Sequence, residues 1–468
     1  GHSGRPVIST EYTHAYGNDA FGGLEARWKA LTKHPAGAGA AVWMWADQGV
    51  KTPVRKKEKD LSEDEYLRIN TAGWDGIVDS YRNFTRDYWE TKAVYAPVYP
   101  AVDKISFVPG QDSVRIPIQN DFDFTNLSSV KMAWSVREDE NVLYSGTDSM
   151  YGYPHTVSDF KLPIEKLVTV RPGRTYYVWF IFTDEKGTEI TRRAVELCPQ
   201  TEQLISVPVC RELLVTEADQ VTIEAGDVRY VFSPKNGQLV SAELKGKQLI
   251  KDLYPAIWRK LNQGETSGFG KENLRKAVDL THYTSSVTAW KTPTNAVIRT
   301  TVDYRVDQEN RFTVTYRYSI GVDGRLNVYY QILTKVAVPW LPIVGMSMQS
   351  VSGLDQVHWL GLGPYDAYPN KQAAPILGVW GGTAGSPDVT GIKAMRWMER
   401  SGSEGTIHVS NSGYMENDAM CPERTYILSG VFGRPEKGRR AEESVPQLRT
   451  DTGKPFVGEF SIMLKAVR

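Results

Sequence analysis

At 468 residues the chain is too long for one ordinary domain, and at roughly 100–200 residues each it suggests two to four. Its 41% hydrophobic and 24% charged residues are ordinary for a globular protein able to bury sizeable cores. Lys plus Arg and Asp plus Glu are both 55, so no net charge draws it to nucleic acid or to an anionic membrane.

Residues 6–48 read as one β-α-β unit. "PVIST" is a short apolar strand. "FGGLEARWKALTKHP" places Leu24, Trp28 and Leu31 at helical spacing, with Pro35 just past the end. "GAAVWMWAD" is then a continuous apolar run of the kind buried in a parallel sheet. Strand, helix and strand form the repeat of an α/β fold, but a single unit cannot cover both faces of a sheet. Glu11 follows the first strand directly, and by itself a strand-end glutamate reads as a solvated boundary residue. The charged stretch over 51–69, "KTPVRKKEKDLSEDEYLRI", reads as a loop, its basic Arg55-Lys56-Lys57 offset by the acids that follow.

From about residue 96 the texture changes. "SVRIPIQNDF", "VKMAWSVRED", "RTYYVWFIFTD" and "EITRRAVEL" are short strands rich in β-branched and aromatic residues, and "TDEKGTEI" is a hairpin turn. About 100 residues of this kind predict an immunoglobulin-like sandwich. Residues 199–213 read as a linker. Beyond them the strands lengthen, with turns at Asn236-Gly237, Gly246 and Asp323-Gly324, and predict a large two-sheet sandwich. The expected domains are therefore 1–95, 96–198 and 214–468. Aromatic residues make up 11% of the chain, 13 Trp and 24 Tyr among them, and suit large β cores or surfaces that meet sugar faces. No run of about 20 apolar residues offers a helical membrane span. Three cysteines, Cys198, Cys210 and Cys421, cannot build a disulfide framework and leave the compartment, cytoplasmic or periplasmic, open. No signal peptide is visible, and a core strand so close to Gly1 reads as a start within a longer polypeptide.

"PVISTEYTHAYGN" followed by "VWMWADQG" resembles the last part of the catalytic barrel in β-galactosidases of glycoside hydrolase family 2, the large bacterial five-domain type. "DGIVDSYRNFTRDYWETKAVYAPVY" resembles the passage from that barrel to its next sandwich, "NDFDFTNLS" a motif of that sandwich, and "WLGLGPYDAYPNK" a signature of the last domain. The resemblance implies a mainly β chain: the final β-α-β of a (β/α)8 barrel, an immunoglobulin-like sandwich and a large galactose-mutarotase-like β-super-sandwich. It also implies a retaining hydrolysis of terminal β-galactosides, with two carboxyl groups about 5–5.5 Å apart. Barrel sites lie at the C-terminal ends of the strands, which is where Glu11 stands. By the resemblance Glu11 is the nucleophile, His14 binds a galactosyl hydroxyl and Trp43 forms an apolar wall for the sugar. Asp75 stands where the family has an asparagine that binds a monovalent cation.

The family's acid/base glutamate lies in an Asn-Glu pair, and this sequence contains none. The ligands of the family's magnesium also lie mostly upstream. The chain is thus expected to hold half of a catalytic site and to be inactive alone, with no cofactor assigned to it, whereas the parent enzyme would use magnesium and sodium or potassium. "WRKLNQGE" (258–265) and "FGRPEKGRRAEESVPQ" (432–447) depart from the family pattern, which points to a different aglycone side. Two strands with an open edge and an apolar face predict self-association or partial disorder near residues 1–90, and a homo-oligomer is expected. The rival reading is a non-catalytic carbohydrate-binding or oligomerising module; mutarotase-like chemistry in the last domain has only architecture behind it. His155, His282, His358 and His408 read as isolated, structural histidines.

Overall fold

The computed structural model describes residues 5–14, 22–51, 67–69, 75–200, 212–259, 281–305, 311–336, 340–434 and 448–467. Strand β1 (Val7–Ser9), helix α1 (Leu24–Lys33) and strand β2 (Gly37–Ala40) form the expected β-α-β unit. The two strands pair in parallel, with Val7 beside Gly37 and Ser9 beside Ala40. The helix buries Leu24 and lays Trp28 on Tyr95, ring centroids 4.6 Å apart. Its end comes down on β2 at Gly37, where a Cβ would meet the Leu31 carbonyl oxygen at 2.0 Å. That contact accounts for a glycine at this position.

The strand expected over 39–47 begins two residues earlier, and its regular part ends at Ala40. Parallel bonding nevertheless continues past it. Trp43 N–H donates to the Thr13 carbonyl at 2.8 Å, Met44 N–H to the Asp75 carbonyl at 2.6 Å and Asp47 N–H to the Val78 carbonyl at 3.1 Å. A third parallel segment, 75–78, therefore takes the other edge, and the sequence reading leaves it unassigned. The peptide between Trp43 and Met44 is cis. The charged stretch expected to be loop throughout pairs at its two ends, where β3 (Gly49–Lys51) and β4 (Leu67–Ile69) run antiparallel; residues 52–66 lie outside the described residues. Helix α2 (Arg86–Val94) starts at Thr85, whose side chain accepts the Asp87 N–H at 3.2 Å.

Eight strands follow: β5 (Val98–Pro100), β6 (Lys104–Phe107), β7 (Ser113–Asn120), β8 (Lys131–Glu138), β9 (Asn141–Asp148), β10 (Thr156–Pro163), β11 (Tyr176–Thr183) and β12 (Glu189–Pro199). They make two sheets, in the orders β10-β7-β5 and β6-β12-β11-β8-β9. Alternation along β7 buries Val114, Ile116 and Ile118, and β11 answers with Val178, Phe180 and Phe182 in the same core. The expected hairpin between β11 and β12 closes on the Asp184 side chain, which accepts from the N–H groups of Lys186 and Thr188.

Strands from Leu213 to Lys465 join in one sheet, sixteen-stranded among the described residues. Strands far apart in its order share one core, so the two layers of the expected sandwich are arms of the same sheet. Hairpin turns fall at the expected glycines; Gly324 has φ 80° and Gly237 φ 63°, and a Cβ on the latter would strike Thr300 at 2.6 Å. The tyrosines go into this core: Tyr304 and Tyr316 bond hydroxyl to hydroxyl at 2.8 Å, and Tyr230 donates to the Gly324 carbonyl at 2.9 Å. Much of the aromatic content thus packs the interior.

Charged bonds dock the N-terminal region on this sheet. Lys371, in the stretch Trp359–Lys371, is buried against the equally buried Asp87. Arg86 Nη1 lies 2.5 Å from Asp366 Oδ2. Glu90 accepts from the N–H groups of Ala373 and Ala374 at 3.1 and 2.8 Å. The middle sandwich joins through Trp179 stacked on Trp380 and through a two-pronged Arg396–Glu196 bond at 2.6 Å.

Candidate active site

The chain leaves β1 at Ser9 and turns sharply. Glu11 has φ 51°, a left-handed conformation that costs a residue with a Cβ on the order of 1 kcal/mol and concentrates at functional sites. Its side chain is 49% exposed, so the carboxylate reaches solvent at the end of the strand. Tyr12 behind it is anchored twice, its hydroxyl 2.7 Å from that of Tyr95 and its carbonyl accepting from Arg27 at 2.7 Å. Burial pushes the Tyr12 hydroxyl far above its usual pKa, and the Tyr95 contact adds to this, so the pair stays neutral.

All four residues singled out in the sequence converge here, from three parallel segments. His14 Nε2 lies 3.8 Å from Glu11 Oε2, and His14 Nδ1 lies 3.5 Å from Asp75 Oδ2. Trp43 bridges to His14 through the backbone and stacks on its ring at 6.1 Å and 28°. His14 and Asp75 are mostly buried. The imidazole therefore stands between two carboxylates, each farther away than the 2.7–3.2 Å of a direct hydrogen bond. The sequence reading misses Asp47, which is buried and accepts the Gly76 N–H at 2.9 Å, tying the second and third segments together. An acid closing the apolar run "VWMWAD" is the signal that marks it.

A divalent cation needs several oxygen ligands. Among the described residues no three of His, Cys, Asp and Glu lie close enough together to hold a metal ion. Asp75 offers one carboxylate, already facing His14, so these residues do not by themselves fit a magnesium site.

Two of the histidines expected to be isolated are not. His155 Nε2 lies 3.1 Å from Asp123, and His408 bonds both Glu399 and Ser410. Of the two stretches that depart from the family pattern, residues 260–265 and 435–447 lie outside the described residues.

Two family models match the chain: "Glycosyl hydrolases family 2, TIM barrel domain" over residues 1–99, and "Beta galactosidase small chain" over residues 224–391. The β-galactosidase of Lactobacillus delbrueckii subsp. bulgaricus is 24% identical over 452 residues, covering 89% of this chain and 41% of that protein. The chain matches the C-terminal portion of a family 2 β-galactosidase. The β-galactosidase of Priestia megaterium is 22% identical and aligns over 81% of this chain and 37% of its own length. The chain thus spans about two fifths of the length of these relatives. The solved galactose 1-epimerase from Lactobacillus acidophilus covers 55% of this chain and 99% of its own, at 9% identity and a TM-score of 0.34. The barrel match contains Glu11, His14, Trp43 and Asp75, and the small-chain match contains the Trp359–Lys371 stretch.

Proposed function

We propose that this chain carries the nucleophile half of the active site of a retaining β-galactosidase. The observation that carries the reading is Glu11, solvent-exposed in a left-handed turn at a strand end, with His14 beside it and Trp43 stacked on His14. In this scheme a Glu11 oxygen attacks the anomeric carbon as the glycosidic bond breaks, and a glycosyl ester forms. A second carboxyl group, from polypeptide outside this chain, protonates the leaving oxygen and later deprotonates the water that releases galactose. His14, steadied between Glu11 and Asp75, hydrogen-bonds a sugar hydroxyl, and Trp43 walls the apolar face of the ring. Magnesium and sodium or potassium belong to the complete enzyme, where Asp75 would give one oxygen to a monovalent cation. A homo-oligomer is part of the proposal; the exposed Val7, Ile8 and Trp45 support association of this region.

Purified chain alone is expected to leave a chromogenic β-galactoside intact. Mixed with polypeptide supplying the rest of the barrel, it should turn the substrate over, and Glu11→Gln should lower that rate by about 10⁴-fold or more. Turnover by the chain alone, or a Glu11→Gln complex as fast as the parent, would overturn the reading.

A further inference from the structure

We propose that Glu399, His408 and Ser410, on the outer face of the large sheet, form a separate acyl-transfer site for short carboxylic esters. The site does not depend on the glycosidase reading. Strands Gly391–Gly402 and Gly405–Asn417 pair antiparallel with Glu399 directly opposite His408. Ser410 is two residues beyond His408, so all three side chains share one face.

His408 Nδ1 lies 2.9 Å from Glu399 Oε1, and His408 Nε2 lies 3.0 Å from Ser410 Oγ. Lys465 Nζ donates to the same Glu399 oxygen at 2.8 Å. Hydrogen bonding from His408 and Lys465 outweighs burial and keeps Glu399 ionised. A carboxylate can only accept, so Nδ1 carries the proton, and in the neutral imidazole Nε2 presents its lone pair to the Ser410 hydroxyl. Orienting carboxylate, base and hydroxyl thus stand in the order that nucleophilic catalysis requires. Trp397, paired with Ser410 across the ladder, places its ring 5.8 Å from the imidazole and offers an apolar side to an acyl group.

Ser410 Oγ would attack the ester carbonyl carbon while its proton passes to His408 Nε2. Collapse breaks the bond to the alcohol, which leaves with that proton. Water, deprotonated by the same nitrogen, then attacks the acyl-serine, releasing the acid and restoring Ser410. Ladder bonding occupies the backbone N–H groups here, so side chains must meet the oxyanion. Ser461 is the register partner of Ser410 on the next strand, and Arg325 Nη1 lies 3.5 Å from its Oγ. Each missing backbone donor lowers the rate by about 10²–10³-fold, so turnover is slow and favours activated, small acyl groups.

Intact chain treated with a biotinylated fluorophosphonate from pH 5 to 9, then mapped by peptide mass, tests this directly. The expected result is a label on Ser410, absent in Ser410→Ala. Labelling should slow about 100-fold in His408→Gln, and the wild-type rate should rise with pH, as general-base catalysis requires. An initial burst of p-nitrophenol from p-nitrophenyl acetate should accompany the label and vanish in Ser410→Ala. No label above the Ser410→Ala background, or an equal rate in a folded His408→Gln, overturns the proposal. Should His408→Gln fail to fold, the wild-type profile decides: a rate that does not rise between pH 5 and 9 overturns it.

Discussion

The N-terminal parallel segments and the large sheet solve opposite problems. The sheet buries Trp359, Tyr316 and Tyr318 completely within one extended core. The N-terminal region has a small core of Tyr12, Leu24 and Ile77 and leaves Val7 and Ile8 49% and 66% exposed. The residues of the proposed glycosidase site sit in the poorly covered part. The proposed nucleophile must reach its substrate, so its position cannot come from burying the carboxylate itself. It comes from contacts brought in from elsewhere: Arg27 and Tyr95 on Tyr12, and the docking of α2 on the sheet.

That contrast can be broken by measurement. Trp359→Ala should cost about 4 kcal/mol and shift the whole urea transition of the large sheet; a shift limited to the N-terminal region would reverse the comparison. Lys371→Met removes the buried Lys371–Asp87 ion pair and should cost about 3 kcal/mol. The loss should appear as faster amide exchange in α1 and α2, with the sheet unchanged; equal acceleration everywhere would make the regions one cooperative unit. Glu399 sharpens the comparison within the sheet. Hydrogen bonding from His408, with help from Lys465, lowers its carboxyl pKa from 4.5 to about 2. The folded value lies below the unfolded one, so its stabilisation is full above pH 4.5 and fades as pH falls through about 2. Glu399→Gln should therefore lose about 2 kcal/mol at pH 7, allowing for partial exposure, and only a small fraction of that at pH 2, as read from urea melts. Ile8→Ser should change stability by no more than about 0.5 kcal/mol while reducing self-association in light scattering; a larger loss would mean that β1 is better covered than its exposure indicates.

Legibility in the sequence followed the same division. The β-α-β unit announced itself through helical spacing between two apolar runs, and the family motifs led to Glu11, His14, Trp43 and Asp75, which the fold brings together. Asn236-Gly237 and Asp323-Gly324 marked turns because their glycines need positive φ. The segment 75–78 was not legible, since four residues carry no periodicity. Nor were helix α2, which the sequence reading leaves unassigned, and the burial of its Asp87 and Glu90 against the sheet. His408 looked isolated because Glu399 lies nine positions away and only antiparallel register sets the two opposite each other.

Helix α2 is bound at its first turn to Asp366 and Lys371 and meets Tyr12 through Tyr95 just past its end. Nine residues span about 13 Å, so pivoting the helix by about 4° at the docked end moves the other by about 1 Å. A 1 Å displacement of a reacting group can cost about a hundredfold in rate. In the proposed site, repacking where the sheet holds Arg86, Asp87 and Glu90 would thus be felt beyond the far end of the helix as slower turnover by the completed enzyme, with no change to Glu11 or His14 themselves.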